Sequence, residues 1–389
     1  MSVWTEVVGQ PDAVALFESA ANAERSDLDG ISAMTHAWLI TGPPGSGRSN
    51  AAYAFAAALL CENNGCGTCP NCRQVAAKTH PDLSYLATER VIISIDEVRA
   101  LVQNAYYSPS VSRYRVIIIE DADRMVERTS NVLLKALEEP PERTVWILCA
   151  PSEADLIPTI RSRVRSVRLR VPSEELVTEL LVSRQGVDPL TAERSARQAQ
   201  SHIGMAQRLA SNAEAAERRA ETIDLVLGMR GVHDAVLAAG RLLDIATDDA
   251  KALTEERDAS EMEQARASVG LATDDAVPAN MRTYFRSIEE QQKRRATRSL
   301  RDGIDRILVD LMGLFRDVVR VQLGVDSHLI NLENEAQIRQ VAVARTPDQT
   351  LAAMSAIEQA RDRLAGNVAP ALVLEAMLIH AVRKPTAAR

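Results

Sequence analysis

The chain has 389 residues, of which 46% are apolar and only 3% aromatic, and its formal net charge is −8. That length predicts two or three domains with real cores, and no run reaches the roughly 18 apolar residues of a membrane span. The acidic balance excludes a chain that binds nucleic acid by its own overall electrostatics, and an N-terminus (MSVWTEVVGQ) without the basic-then-apolar layout of a signal peptide predicts a cytoplasmic protein.

Residues 3–10 are apolar and acidic. Residues 12–23 predict a helix, with Val14, Phe17 and Ala21 at helical spacing. A polar loop is expected over 27–32. An apolar run at 37–40 then leads into TGPPGSGRSN (41–50) and an alanine-rich helical stretch at 51–60. Strand, glycine turn and helix form the context that a phosphate-binding loop requires. Its candidate nucleotide-binding residues are Gly42, Pro43, Pro44, Gly45, Ser46, Gly47, Arg48 and Ser49. The glycines let backbone N–H groups turn inward toward a phosphate, and the following helix adds its positive end. Against the pattern GxxxxGK[ST], Arg48 stands where lysine is expected, while Ser49 keeps the hydroxyl that would reach Mg²⁺. A broad planar fork replaces a compact ammonium, so binding of ATP or ADP with Mg²⁺ stays open. The bland alternative is a glycine-rich strand–helix turn without ligand.

Four of five cysteines follow at once, in CENNGCGTCPNC, with Cys61, Cys66, Cys69 and Cys72 spaced C-x4-C-x2-C-x2-C. Clustered cytosolic cysteines suggest metal rather than disulfides, and four thiolates between Gly65, Gly67 and Pro70 suit tetrahedral Zn²⁺. An iron–sulfur site is the rival, since the first three cysteines also match a plant-type ferredoxin start; it would take a distant fourth ligand such as Cys149. Free thiols are the third possibility.

Residues 83–86 predict a strand, and Ile95 starts a helix with acidic residues in its first turn. Residues 115–119 are apolar after the first, as inside a parallel sheet, and Glu120-Asp121-Ala122-Asp123 follow at the carboxyl end, where α/β sheets place ligands. Glu120 is the candidate Mg²⁺ residue, through water. Asp121 is one methylene shorter than a water-activating Glu, and misplacement by about 1 Å costs on the order of 100-fold in rate. An acidic turn that merely caps the next helix is the alternative. Residues 130–137 predict an amphipathic helix stopped by Pro140 and Pro141, and 144–150 the next strand. Residues 158–170, PTIRSRVRSVRLR, read either as a solvated basic edge or as the source of one arginine that reaches a phosphate bound elsewhere.

Beyond Val171 only helices are expected: 174–184, 190–210, 213–229, a long 288–323 with a break near Gly303, 346–364 and 370–382. The acidic stretch 247–276 reads as a mobile insertion or a solvated helix, and 384–389 as a disordered tail.

The order of these features resembles the AAA+ ATPases, and the cysteine insert narrows the resemblance to bacterial DNA polymerase III clamp-loader subunits. LLKALEEPP (133–141) is very close to their signature, and NVAPALVLEAML (367–378) resembles the end of their collar domain, so nearly the whole chain is covered. The resemblance implies an α/β fold: a RecA-like AAA+ domain with an inserted zinc module (1–170), a helical lid (171–240) and an all-helical collar that oligomerises (241–389). Two subunit types share this layout. A gamma/tau motor should have lysine at 48, Asp-Glu at 120–121 and a threonine pair near 150–151; this chain has Arg48, Glu120-Asp121 and Ala150-Pro151. The lid arginine falls on Gln207, beside Arg208. The Ser-Arg-Cys motif stands as Ser162-Arg163-Val164, with its arginine intact. A chain that loses its own catalytic parts but keeps the arginine offered to a neighbour resembles the delta-prime type. That implies a stationary subunit, assembled with motor and delta subunits, whose Arg163 is a trans arginine finger in loading the sliding clamp onto primed DNA. Its own ATPase is expected to be absent or very weak. An ATP-hydrolysing gamma/tau motor is the other reading.

Overall fold

The computed structural model describes residues 2–22, 34–88, 90–269, 271, 277–278, 281–325 and 328–382, without the side chain of residue 256. The loop expected at 27–32, residues 270 and 272–276 of the acidic stretch, and the tail at 384–389 lie outside them. The chain divides into two units, Met1–Ala210 and Ser211–Arg389, and the helices expected for a lid over 171–240 fall on both sides of that boundary.

In the first unit a 3-10 turn at Val3–Glu6 precedes α1 (Pro11–Asn22), β1 (Ala37–Thr41), α2 (Arg48–Leu60), α3 (Pro70–Ala76), β2 (Leu83–Leu86), α4 (Ile95–Ala105) and β3 (Arg115–Ile119). Then come α5 (Glu127–Glu138), β4 (Thr144–Ala150), α6 (Pro158–Arg161), β5 (Arg165–Arg168), α7 (Glu174–Gln185), α8 (Pro189–Gln198) and α9 (Ile203–Ser211). The strands are parallel in the order β2-β3-β4-β1-β5. The central three are buried throughout because helices cover both faces, and their two-residue period divides them between two cores. Trp38, Ile40, Val116, Ile118, Val145 and Ile147 share one core with Phe17 of α1 and Phe55 of α2. Leu39, Ile117, Ile119, Trp146 and Leu148 share the other with Val98 and Leu101 of α4 and Leu133 and Leu137 of α5. The scarce aromatics concentrate in the first: ring centroids lie 4.6 Å apart for Phe17–Phe55 and 5.1 Å for Trp38–Phe55.

Register sets Thr41, the last residue of β1, beside Ala150 of β4 and Arg168 of β5. The loop after β1 therefore leaves from the carboxyl edge of the expected RecA-like sheet, where such sheets place ligands. One helical expectation fails here. Residues 190–210 are not one helix: Gln200 and Ser201, with φ of 51° and 61°, separate α8 from α9.

The second unit is all helical: α10 (Ala213–Leu227), α11 (Val232–Ser268), α12 (Arg282–Gln322), α13 (Glu335–Ala344), α14 (Pro347–Ala365) and α15 (Pro370–Val382). The apolar stripe of α12, from Ile304 to Val318, shares a core with Leu242 and Ile245 of α11 and Leu374 and Met377 of α15. α11 and α12 pair antiparallel, with Gly303 against Ala246, Arg295 against Asp258 and Glu261, and Phe285 beside Ala265. One correction follows. α12 runs unbroken through Gly303, which faces the Ala246 backbone of α11; a Cβ there would stand 3.5 Å from the Ala246 carbonyl oxygen, an ordinary contact. Of the two readings of the acidic stretch, residues 247–268 take the helical one: they continue α11, and Asp258 and Glu261 meet Arg295 of α12. No helix among the described residues is long and apolar enough to cross a membrane.

Candidate functional site

The loop after β1 is built on Gly42, Gly45 and Gly47, with φ of 157°, 84° and 87°, a region that favours glycine. At two of them space also forbids a side chain. A Cβ on Gly42 would lie 2.5 Å from Ser46 Oγ, and one on Gly45 would lie 2.4 Å from the ring of His202. His202 comes from the α8–α9 turn, so that turn lies directly against the loop. Gln10 ties the loop to the end of β5: its Nε2 donates to the carbonyls of Ser46 at 3.4 Å and Arg170 at 2.7 Å, and its Oε1 accepts from the Arg170 N–H at 2.9 Å.

No side chain caps the first turn of α2, a helix end that attracts anions. Ser46 Oγ is buried there without a hydrogen-bond partner, a cost that a phosphate oxygen would relieve. The loop therefore fits a nucleotide phosphate. Arg48 does not point outward from it: its Nη1 donates back to the Gly42 carbonyl.

Glu120, at the end of β3, meets the loop. Ser49 Oγ donates to its Oε2 at 2.6 Å, the Tyr53 hydroxyl to its Oε1 at 2.8 Å, and Lys78 Nζ to the same oxygen at 3.2 Å. Tyr53 stands one turn after Ser49 on α2, so both share a helix face. Burial, and then the charge of Glu120, hold the Tyr53 phenol far above its ordinary value, so it stays a donor. Asp121 takes a left-handed φ of 52° and pairs with Arg124 Nε at 3.6 Å. Asp123 has a buried oxygen without partner, and burial, then the charge of Asp121, push its carboxyl up. Of the candidate metal pair, Ser49 and Glu120 come together, but they bind each other.

The four clustered thiols also come together, with all Sγ atoms within 4.8 Å of one another. Cys61 ends α2, Cys69 caps α3 and Cys72 lies in its first turn. Cys61 Sγ is 3.8 Å from that of Cys66 and 3.6 Å from that of Cys69. A tetrahedron with metal–sulfur bonds of about 2.3 Å has edges of about 3.8 Å, so the set could hold a metal ion. Left-handed Asn64, Gly65 and Gly67 turn the chain through it. Burial pushes the Cys61 thiol up, but amides of Cys66, Asn63 and Gly65 outweigh it and leave the thiol below its ordinary value. The Thr68 amide and hydroxyl bring Cys66 down to about 6. Cys149 stays apart, buried in β4 with its Sγ 3.9 Å from the Arg48 carbonyl.

Arg163 follows α6. Its Nη1 donates to the Thr159 carbonyl at 2.8 Å and Ser162 Oγ at 3.0 Å, and its Nη2 pairs at 2.6 Å with Glu138, the last residue of α5. The neighbouring arginines differ: Arg165 lies over the Trp38 ring, 5.1 Å from its centroid, and Arg170 pairs with Asp12 at 3.1 Å. Sequence reasoning missed Tyr53, Lys78 and His202. The four-residue spacing from Ser49 could have found Tyr53; the other two act through turns that the sequence does not mark.

A family profile for "DNA polymerase III, delta subunit" matches residues 10–173. The delta-prime subunit of Bacillus subtilis is 26% identical over 340 residues, 86% of this chain and 87% of its own. That of Pseudomonas aeruginosa is 35% identical over 191 residues, 43% of this chain and 58% of its own. The gamma/tau subunit of Mycobacterium tuberculosis is 30% identical over 264 residues, 64% of this chain; the match spans 44% of that longer relative. Among solved structures, a gamma-subunit-related protein of Thermotoga maritima is similar over 89% of this chain and 93% of its own, at 18% identity and a TM-score of 0.41. The profile match over residues 10–173 holds the phosphate loop, the thiol cluster and the acidic strand end, and the chain is similar to the delta-prime and gamma/tau subunits of DNA polymerase III.

Proposed function

We propose that the chain is the delta-prime type of subunit: a stationary member of the clamp loader that assembles with motor (gamma/tau) and delta subunits and lends Arg163 to the γ-phosphate of ATP held next door. The reading rests on Arg48. At the position of the loop lysine, its guanidinium donates into the loop's own Gly42 carbonyl, whereas a motor needs that cation aimed at a phosphate. Arg163 is one-third exposed, at 34%, and already oriented by Thr159, Ser162 and Glu138. A fork held in place loses little freedom when it meets a phosphate. The helical second unit is the proposed collar, and the charge of −8 suits DNA contact shared around a ring. Zn²⁺ is the proposed ion of the thiol cluster, in a structural role, since four protein ligands leave no open position.

The mycobacterial gamma/tau match favours a second reading, an ATP-hydrolysing motor. One reconstitution separates the two. The purified chain is mixed with motor and delta subunits, the assembly mass is measured, and ATPase is followed with clamp and primed DNA. Arg163→Ala should keep the mass and lower stimulated ATPase. A finger is worth about 10³-fold or more at its own site, and the whole assembly should lose less because other sites keep theirs. Arg163→Lys should rescue poorly, and alanine at Arg165 or Arg168 should do little. Intact stimulated ATPase in Arg163→Ala overturns the finger. A turnover near about 1 s⁻¹ from the wild-type chain alone favours the motor.

A further inference from the structure

A phosphate loop of this class normally works with a divalent cation, held between the hydroxyl after the loop cation and an acidic residue at the next strand end. The residues present do not fit that ion. Both oxygens of Glu120 are taken by the protein: Oε2 by Ser49 Oγ at 2.6 Å, Oε1 by the Tyr53 hydroxyl at 2.8 Å and Lys78 Nζ at 3.2 Å. The ammonium also sits over two rings, 4.3 Å from the Tyr53 centroid and 5.0 Å from that of Tyr85, each attracting a cation. A positive charge thus already stands where the carboxylate would receive a metal.

We infer that Lys78 is a resident cation that takes the place of the divalent ion at Ser49 and Glu120. Its backbone supports a built position. Lys78 has a φ of 57°, a left-handed conformation that disfavours any residue with a Cβ and favours glycine. The turn is held by the Lys78 N–H on the Val75 carbonyl at 2.9 Å and the Thr79 N–H on the Gln74 carbonyl at 2.8 Å. Both carbonyls belong to α3, and α3 is pinned at its start by Cys69 and Cys72 of the thiol cluster. The cluster therefore fixes the helix, the helix fixes the turn, and the turn delivers the ammonium to Glu120. A divalent ion would have to break the Ser49–Glu120 bond and expel Lys78, then sit beside the charge it displaced. Any nucleotide held by this loop is bound as the free anion, with Lys78 as its nearby positive charge.

Lys78 acts within this chain and Arg163 across to a neighbour, so the chain alone tests the first without touching the second. The probe is Mn²⁺, an oxygen-seeking substitute for Mg²⁺, followed by electron paramagnetic resonance on the full chain, without nucleotide and with ADP. Wild type should show no Mn²⁺ that Glu120→Gln removes. Lys78→Gly, which suits the turn, should gain a site at least about tenfold tighter, and Lys78→Gly with Glu120→Gln should lose it again. Lys78→Arg, which keeps the charge, should gain none. The inference is overturned if wild type already holds an ion that depends on Glu120, or if Lys78→Gly stays folded by circular dichroism and gains none.

Discussion

Asp82 is fully buried at the start of β2 and still carries its charge, because three backbone amides meet it: Ser110 at 2.5 Å, Val111 at 2.8 Å and Ser112 at 2.7 Å, with Arg115 Nη2 at 3.6 Å. It anchors the loop that leads into β3. Burial alone pushes a carboxyl up, but these amides outweigh it and hold Asp82 below its ordinary value. A depressed native value means stability that is present above the unfolded value of about 3.9 and is lost as pH falls through the native one. Asp82→Asn should therefore cost about 3 kcal/mol near neutral pH, as breaking a buried charge network does. The check is urea unfolding read by tryptophan fluorescence, since Trp4, Trp38 and Trp146 all lie in the first unit. The gap between variant and wild type should narrow below about pH 4; a gap that persists there would mean that shape, not charge, is what Asp82 supplies. Its neighbour His80 is a partner in the same corner. Its Nδ1 accepts from the Asp82 N–H at 3.1 Å, its Nε2 meets Ser112 Oγ at 3.3 Å, and burial holds it below its ordinary value.

At the scale of elements, the thiol cluster joins α2 to α3, and its contents are the simplest thing to measure. Elemental analysis of the purified chain should give one Zn²⁺ per chain, with Cys66→Ser or Cys72→Ser falling well below one and the first unit melting several degrees lower, about the shift of a kcal/mol or two. Iron, or no stoichiometric metal, would refute it. Retention of zinc in Cys61→Ser would remove Cys61 alone from the ligand set. Much of this was legible in the sequence for identifiable reasons. Apolar runs located β1, β3 and β4, ended by Gly42, by the acidic Glu120-Asp121 and by Pro151 in turn, and short cysteine spacings located the cluster. The α8–α9 break was not legible because left-handed Gln200 and Ser201 are held by their surroundings and not by residue type. Gly303 misled for another reason: a lone glycine weakens a helix without ending it, and the packing of α12 in the second unit's core carries the helix through it. Lys78 was hidden twice, by a turn that normally advertises itself with glycine and by an ion partner 42 residues away.

Across the whole molecule, charge is used mostly within the chain. The basic run QQKRRATR of α12, residues 291–298, spends its arginines on nearby carboxylates: Arg294 meets Glu290, Arg295 meets Asp258 and Glu261 of α11, and Arg298 meets Asp302. Deeper in the second unit lies a fully enclosed polar chain. Arg219 of α10 donates to Asp310 of α12 at 3.2 Å and to the Asn331 side chain at 2.8 Å, and the Asn331 amide donates to Asp317 at 3.0 Å. Asp317 also accepts the backbone N–H groups of Ile330 at 3.1 Å and Asn331 at 2.8 Å. Asp317 and Asn331 are wholly buried, so removing the carboxylate strands three donors. Asp317→Ala should cost about 3–5 kcal/mol, a large part of the roughly 5–15 kcal/mol that holds a domain. All three tryptophans lie in the other unit, so the two can be read separately. Urea unfolding followed by circular dichroism should show the helical transition of the second unit moving to lower denaturant, while the tryptophan transition stays in place. If both transitions move together by the same amount, the two units unfold as one cooperative body, and Asp317 supports the whole chain instead of the helical unit alone.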